Sequence, residues 1–158
     1  MLFCLLLLLV ANGAPILARR LPGLRHWNRP LDGGYRLPDG EPLFGAHKTW
    51  RGMVAAILLS AVVAGLAGYP LWLGALFGAL SMLGDLLASF TKRRLKWHSG
   101  APAPVLDQLP EALLPLIFLA GPLELGWPAI LLITVLFTVL DWILSQVLYR
   151  WRLRRHPW

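Results

Sequence analysis

Five long apolar blocks, with every lysine and arginine lying outside them, leave this chain few ways to fold. The blocks run from Met1 to Leu17, Gly52 to Tyr69, Leu71 to Phe90, Glu111 to Leu125 and Pro128 to Leu148. A helix needs about 20 apolar residues to cross the hydrocarbon of a bilayer, with a lower limit of about 17. The third and fifth blocks meet that length, and the first two lie near the limit. The fourth is short and interrupted by Pro115, Gly121 and Pro122, so a tilted or re-entrant segment is the fallback there. The chain is 57% hydrophobic, above the about 45–50% of a soluble domain. The expected fold is an all-α integral membrane protein, a single bundle of about five transmembrane helices. No soluble domain is large enough to stand apart from it.

The cations orient the bundle. All 15 Lys and Arg lie in three segments: Arg19 to Arg51, Lys92 to Lys96, and Arg150 to Arg155. The connections around Tyr69-Pro70 and Gly121 to Trp127 carry none. With five spans the three segments fall on one side, which the positive-inside rule makes cytoplasmic. The N-terminus is then outside. Loops 18–51 and 91–110 and the tail 149–158 are inside, and the protein sits in the cell membrane as a multi-pass chain. Removing any one span would split the cations between the two faces. A secretory signal is the competing reading of the first block. It requires cations before the apolar run, whereas Arg19 and Arg20 follow it. The net charge of +7 is explained by this clustering at a membrane surface, so nucleic acid is not an expected partner. The single cysteine, Cys4, excludes an internal disulfide and a cysteine metal site. Trp27, Trp50, Trp97, Trp127 and Trp151 fall near the block boundaries, as interfacial tryptophans do.

Polar residues inside the apolar blocks are not scattered. At 100° per residue, Gly74, Gly78, Ser81, Asp85, Ala88, Ser89 and Lys92 all fall within about a 100° arc. Gly74 and Gly78 form a GxxxG pair suited to close helix contact. Asp85 should therefore point into the bundle, about 10 Å along the axis from Lys92. An ionisable residue inside a membrane helix is costly and marks function by default. The bland alternative is an Asp paired with a loop cation or reaching for the interface. In the fifth block Thr134, Thr138, Asp141, Ser145 and Tyr149 make a similar stripe, for which helix packing and function weigh equally.

Two carboxylates, Asp85 and Asp107, can hold a hard cation such as Mg²⁺. Adjacent Lys and Arg side chains can hold phosphate oxygens. Together these are the parts of a phosphoryl-transfer site, where catalysis is mostly positioning and charge neutralisation. The loop segment Gly40 to Thr49 is not a Walker A motif. Ala46 and His47 separate Gly45 from Lys48-Thr49, and no strand precedes it. The four histidines show no metal-ligand spacing.

The stretch GDLLASFTKRR (Gly84 to Arg94), followed by Gly100 and PVLDQL (Pro104 to Leu109), resembles the signature of the CDP-archaeol synthase family. That family is related to the membrane CTP:phosphatidate cytidylyltransferases that make CDP-diacylglycerol. The resemblance extends to ANGAP (Ala11 to Pro15), PLDGG (Pro30 to Gly34), GAHKTWRG (Gly45 to Gly52) and the terminal Pro157-Trp158. It implies transfer of CMP from CTP to a membrane glycerolipid phosphate, with pyrophosphate as the other product and Mg²⁺ as cofactor. Carried over residue by residue, the motif acids fall on Asp85 and Asp107 and the motif cations on Lys92 and Arg93. Ser89 matches the signature serine, and Lys48 and Thr49 the loop pair. Arg94, Gln108 and Asp32 lie in matched motifs and are assigned to substrate binding with them. The family usually reads Asp-Gln-Leu-Asp where this chain has Asp107-Gln108-Leu109-Pro110, so Glu111 is the expected substitute for the second acid and third metal ligand. The expected partners are CTP, the lipid phosphate and the bilayer, with homo-oligomerisation left open. The alternative is a non-catalytic membrane protein of the same fold that binds anionic lipid or a protein partner.

Overall fold

A computed structural model describes residues 1–21, 23, 27–98 and 103–150. Gly100, the terminal Pro157-Trp158, Trp151 and the tail cations beyond Arg150 lie outside the described residues. Five helices follow in order: α1 (Leu2–Ala18), α2 (Trp50–Leu66), α3 (Leu71–Arg94), α4 (Pro104–Phe118) and α5 (Trp127–Arg150). No strand is present among the described residues, only isolated bridges within the first loop. Two helices, Leu71–Arg94 and the Trp127–Val147 part of α5, are long and apolar enough to cross a membrane, while α1 and α2 are shorter apolar helices.

The bundle is built around α3, which packs most extensively on α2 and α4. The predicted small-residue face carries this packing. A Cβ on Gly74 would stand 2.3 Å from the Ser60 carbonyl oxygen, and one on Gly78 would stand 2.9 Å from that of Ala56. The glycine pair therefore meets the Ala56, Ser60 and Ala64 face of α2. Lower on the same helix, a Cβ on Gly84 would lie 2.2 Å from the Pro110 carbonyl oxygen. That is the tightest of these approaches, and it locks α3 against α4. An apolar core of Leu7, Leu8, Phe77, Leu116, Ile133 and Phe137 closes the other half of the bundle.

The distribution of polarity runs opposite to that of a water-soluble protein. Ser60, Ser81, Ser89, Thr134, Asp141 and Ser145 are buried. Leu58, Val62, Leu76, Leu131, Val135 and Val139 point outwards. Such a surface needs an apolar solvent, and the threonine hydroxyls of α5 find backbone partners inside. Thr134 and Thr138 donate to the carbonyls of Ile130 and Thr134, at 2.8 and 2.9 Å.

Helix boundaries differ from the sequence expectation in three places. α3 continues through Lys92, Arg93 and Arg94, where the cations complement the negative end of the helix dipole. α2 occupies Trp50–Leu66 rather than 52–69 and begins at an N-cap, the Thr49 hydroxyl, which accepts from the Gly52 N–H at 3.3 Å. α4 begins at Pro104, not Glu111, and ends at Phe118. Proline is well placed in a first turn, and the Asp107 N–H closes that turn on the Ala103 carbonyl at 2.8 Å. Pro110 and Pro115 are then accommodated inside the helix, while Gly121-Pro122 follows its end. Asp107, Gln108 and Glu111 are consequently helical residues. The expected 91–110 loop shrinks to the residues between Arg94 and Pro104.

The first loop is folded. The Asp32 carboxylate accepts from the N–H groups of Gly34, Phe44 and Gly45, at 3.0, 3.0 and 2.9 Å, so one acid draws together residues 12 and 13 positions away. Pro30 bridges to Thr49 and Arg36 to Pro42. Gly33, Gly34, Gly40 and Gly45 take positive φ angles in its turns, which explains why glycine serves there.

Candidate active site

The polar residues singled out from the sequence gather at one end of the bundle, where the first loop, the end of α3 and the start of α4 meet. Lys48, at the base of the loop, donates to both oxygens of Asp85, at 2.6 and 2.5 Å. Lys92, on the last turns of α3, pairs with Asp107 on the first turn of α4 at 2.6 Å. Asp85 faces into the bundle as its helical position requires, with 20% of its side chain exposed. Each of the two expected acids is thus neutralised by a lysine from another segment.

Glu111 is buried and accepts a hydrogen bond from the Asn12 amide at 3.3 Å. It lies within electrostatic reach of Asp85, Asp141 and Lys48. The Gly84–Pro110 contact explains this placement, because Asp85 and Glu111 are the next residues along their helices. Asp107 and Glu111, four residues apart, share one face of α4. Gln108 is buried and donates to Asp141 at 2.8 Å. Asp141 therefore has a packing partner directly beside the site.

The remaining assigned residues divide by what they touch. Ser89 is buried on the same face of α3. Thr49 caps α2. Arg93 is 3% exposed and donates to the His98 carbonyl at 2.8 Å. Its neighbour Arg94 turns the other way, pairing with Asp39 and donating to the Pro42 carbonyl at 2.7 Å. Asp32 is a loop organiser. Burial works to raise the pKa of its carboxyl, but the N–H groups of Gly45, Gly34 and Phe44 outweigh burial and hold it below the usual range. Two contributors had not been singled out from the sequence. Asn12 lies within the ANGAP motif, and an amide in an apolar helix was its signal. Asp39 had none, since its partner is 55 residues away.

Among the described residues, no group of three or more His, Cys, Asp or Glu side chains is gathered so as to hold a metal alone. Magnesium does not require one, because it is commonly bound through one or two carboxylates plus substrate phosphates. Asp85, with Glu111 in reach and Asp107 one turn away on α4, supplies hard oxygen donors of that kind. The residues present fit the ion.

Comparison with known proteins places the chain in a family. The family model described as CarS-like, CDP-archaeol synthase, matches residues 70–158. The CDP-archaeol synthase of Hyperthermus butylicus is 38% identical over 157 residues, covering 95% of this chain and 90% of that protein. That of Pyrobaculum calidifontis is 39% identical over 154 residues, covering 94% and 91%. A solved structure described as an intramembrane enzyme for archaeal membrane lipids biosynthesis superposes with a TM-score of 0.68, at 28% identity and 89% coverage of each chain. Its fold is the one described above, and Asp85, Lys92 and Asp107 lie within the residues 70–158 that the family model matches. The polar interior, the apolar exterior and these likenesses make the chain a membrane protein that belongs to the CDP-archaeol synthase family.

Proposed function

We propose that this chain is a magnesium-dependent cytidylyltransferase that transfers CMP from CTP to a membrane glycerolipid phosphate. The observation that carries the reading is the pair of acid–lysine couples, Lys48–Asp85 and Lys92–Asp107, at one end of the bundle. In the reaction an oxygen of the lipid phosphate attacks the α-phosphorus of CTP. A new P–O bond forms, the bond to the β-phosphate breaks, and pyrophosphate leaves with that electron pair. The lipid phosphate is itself the nucleophile, so no serine or cysteine of the protein is needed.

The residues have separable tasks. Asp85 and Asp107, with Glu111 in reach of Asp85, would hold the metal together with substrate phosphates, and the ion when bound would neutralise charge on the phosphate chain. Lys48 and Lys92 balance the acids, and with nucleotide bound they would turn to its phosphate oxygens. This exchange keeps the buried site near neutrality throughout, which matters where unpaired charge is expensive. Arg93 brings a further cation, with no carboxylate bonded to it among the described residues. Five spans with the N-terminus outside put this end of the bundle in the cytoplasm, where CTP is found.

Labelled CTP, purified protein and lipid phosphates with ether-isoprenoid or acyl tails test the reading. Magnesium-dependent CDP-lipid is expected from at least one, and Asp85→Asn should abolish it. Formation from none of them would sink the proposal. Pro110, standing where the family has an acid, favours one competing reading, a non-catalytic member of the fold. That reading requires Asp85→Asn and Glu111→Gln to leave cellular function unchanged. Ours requires both to destroy it.

A further inference from the structure

The two adjacent arginines at the end of α3 face different surroundings. Arg93 is buried, with the His98 carbonyl as its hydrogen-bond partner. Both terminal nitrogens of Arg94 are directed at the first loop. One guanidinium nitrogen pairs with the Asp39 carboxylate, and the other donates to the Pro42 and Glu41 carbonyls, at 2.7 and 3.4 Å. The guanidinium carbon stands over the Phe90 ring, 5.3 Å from its centroid, within cation–π range.

The segment it grips is a self-contained turn. Asp39 caps it by accepting from the Glu41 N–H at 3.1 Å, and Arg36 donates to the Gly40 carbonyl at 2.8 Å. Leu37 and Glu41 pair through their backbones. The turn is continuous with the Asp32-closed base of the loop, from which Lys48 reaches Asp85. The loop therefore touches α3 at two points: its base at Asp85 and its tip at Arg94. These points are nine residues apart on one helix, about 13 Å along its axis. Ser89, Lys92 and Arg93 lie between them.

We propose that Arg94 is a positioning residue rather than a phosphate ligand. It straps the loop tip along the last turns of α3, so that Lys48 is held over Asp85. The inference rests on the cytidylyltransferase reading for its functional consequence, but not for the contact itself. Its two terminal nitrogens are already directed at one carboxylate and two carbonyls, and its Nε is buried, so the side chain has little left to offer a triphosphate. Its planar fork suits this multiple contact, and lysine would not reproduce it.

The discriminating variant is Asp39→Asn, which removes the anion of the strap and touches no cation. With the full-length protein in detergent or bilayer nanodiscs, Asp39→Asn and Arg94→Met should both speed backbone hydrogen exchange across residues 36–44. Both should lower kcat/KM for CTP several-fold, and the double variant should be no worse than the worse single one, as expected for two members of one contact. Arg93→Met serves as comparator and should weaken CTP without loosening the turn. If Arg94→Met alone raises KM while Asp39→Asn behaves as wild type, Arg94 binds substrate and the strap is wrong. Unchanged exchange in both variants would overturn it equally. Should the wild-type protein make no CDP-lipid, the enzymatic reading falls, while the exchange measurement still decides whether the strap exists.

Discussion

Lys48 and Asp85 are 37 residues apart in sequence, yet the lysine ammonium spans both carboxylate oxygens. That geometry places a monovalent cation where the proposed function puts a divalent one. On the proposed function Lys48 would compete with the metal as well as hold the nucleotide, and the two roles give opposite signs on substitution. Lys48→Met should tighten binding of Mn²⁺, used as a probe without nucleotide, by roughly fivefold, the equivalent of about 1 kcal/mol for a partly exposed ion pair. The same change should weaken CTP. Electron spin resonance of free Mn²⁺ reads the first effect, and the KM for CTP the second. A purely structural lysine would weaken both, so looser Mn²⁺ binding in Lys48→Met would count against the exchange of partners.

At the scale of elements, the approach of α3 to α4 depends on the missing side chain at position 84. A methyl group there would meet backbone, at 2.2 Å from the Pro110 carbonyl oxygen and 2.6 Å from the Glu111 nitrogen, and backbone cannot rotate away. Gly84→Ala should lower the melting temperature in detergent through overpacking of about 1–3 kcal/mol. Gly13→Ala, inside α1 with nothing within 4 Å of the added atom, should hold or raise it, since alanine favours helix by up to about 1 kcal/mol. Equal losses from both would mean that the contact does not govern stability. The first loop responds to pH instead. Asp32 is held below its ordinary pKa, so its contribution is complete above the unfolded carboxylate range and is lost as pH falls through the depressed value. Backbone exchange in residues 32–45, corrected for the intrinsic pH effect, should rise only under acid, and Asp32→Asn should show the open behaviour at neutral pH. These elements were unequally legible in the sequence. The α3 face could be read because the helical period alone puts its glycines, serines and Asp85 on one side. The closed loop could not, because three N–H groups converging on Asp32 come from tertiary arrangement rather than from a local pattern. The start of α4 was missed because hydropathy follows apolar residues, whereas the first turn is set by Pro104 and the Ala103 carbonyl.

For the molecule as a whole, the pairing pattern constrains how the chain threads a membrane. Lys48–Asp85, Lys92–Asp107 and Arg94–Asp39 all join the first loop, the end of α3 and the start of α4. These three segments must therefore share one face. The turn between α4 and α5, which carries the exposed Glu124, follows α4 away from that face. Part of this arrangement was legible in the sequence, since cation clustering alone assigns the first loop and the end of α3 to one side, and the ion pairs are an independent reason for that part. Single cysteines make the threading measurable. Cys4 is buried at 2% exposure and leaves little background. In sealed inside-out vesicles, a membrane-impermeant maleimide should label Tyr35→Cys and Trp97→Cys, both exposed in the fold. Glu124→Cys should stay unlabelled until the bilayer is dissolved. In right-side-out vesicles the pattern should invert. Labelling of Glu124→Cys together with Trp97→Cys from one side would mean that α4 does not cross. The bundle would then have four spans with α4 re-entrant, its two prolines bending the chain back to the face it left, and α5 would have to enter and leave in the opposite sense. Labelling of Tyr35→Cys and Trp97→Cys from opposite sides would be harder to reconcile with the structure, since it would separate Arg94 from Asp39 across the bilayer and leave Lys48 unable to reach Asp85.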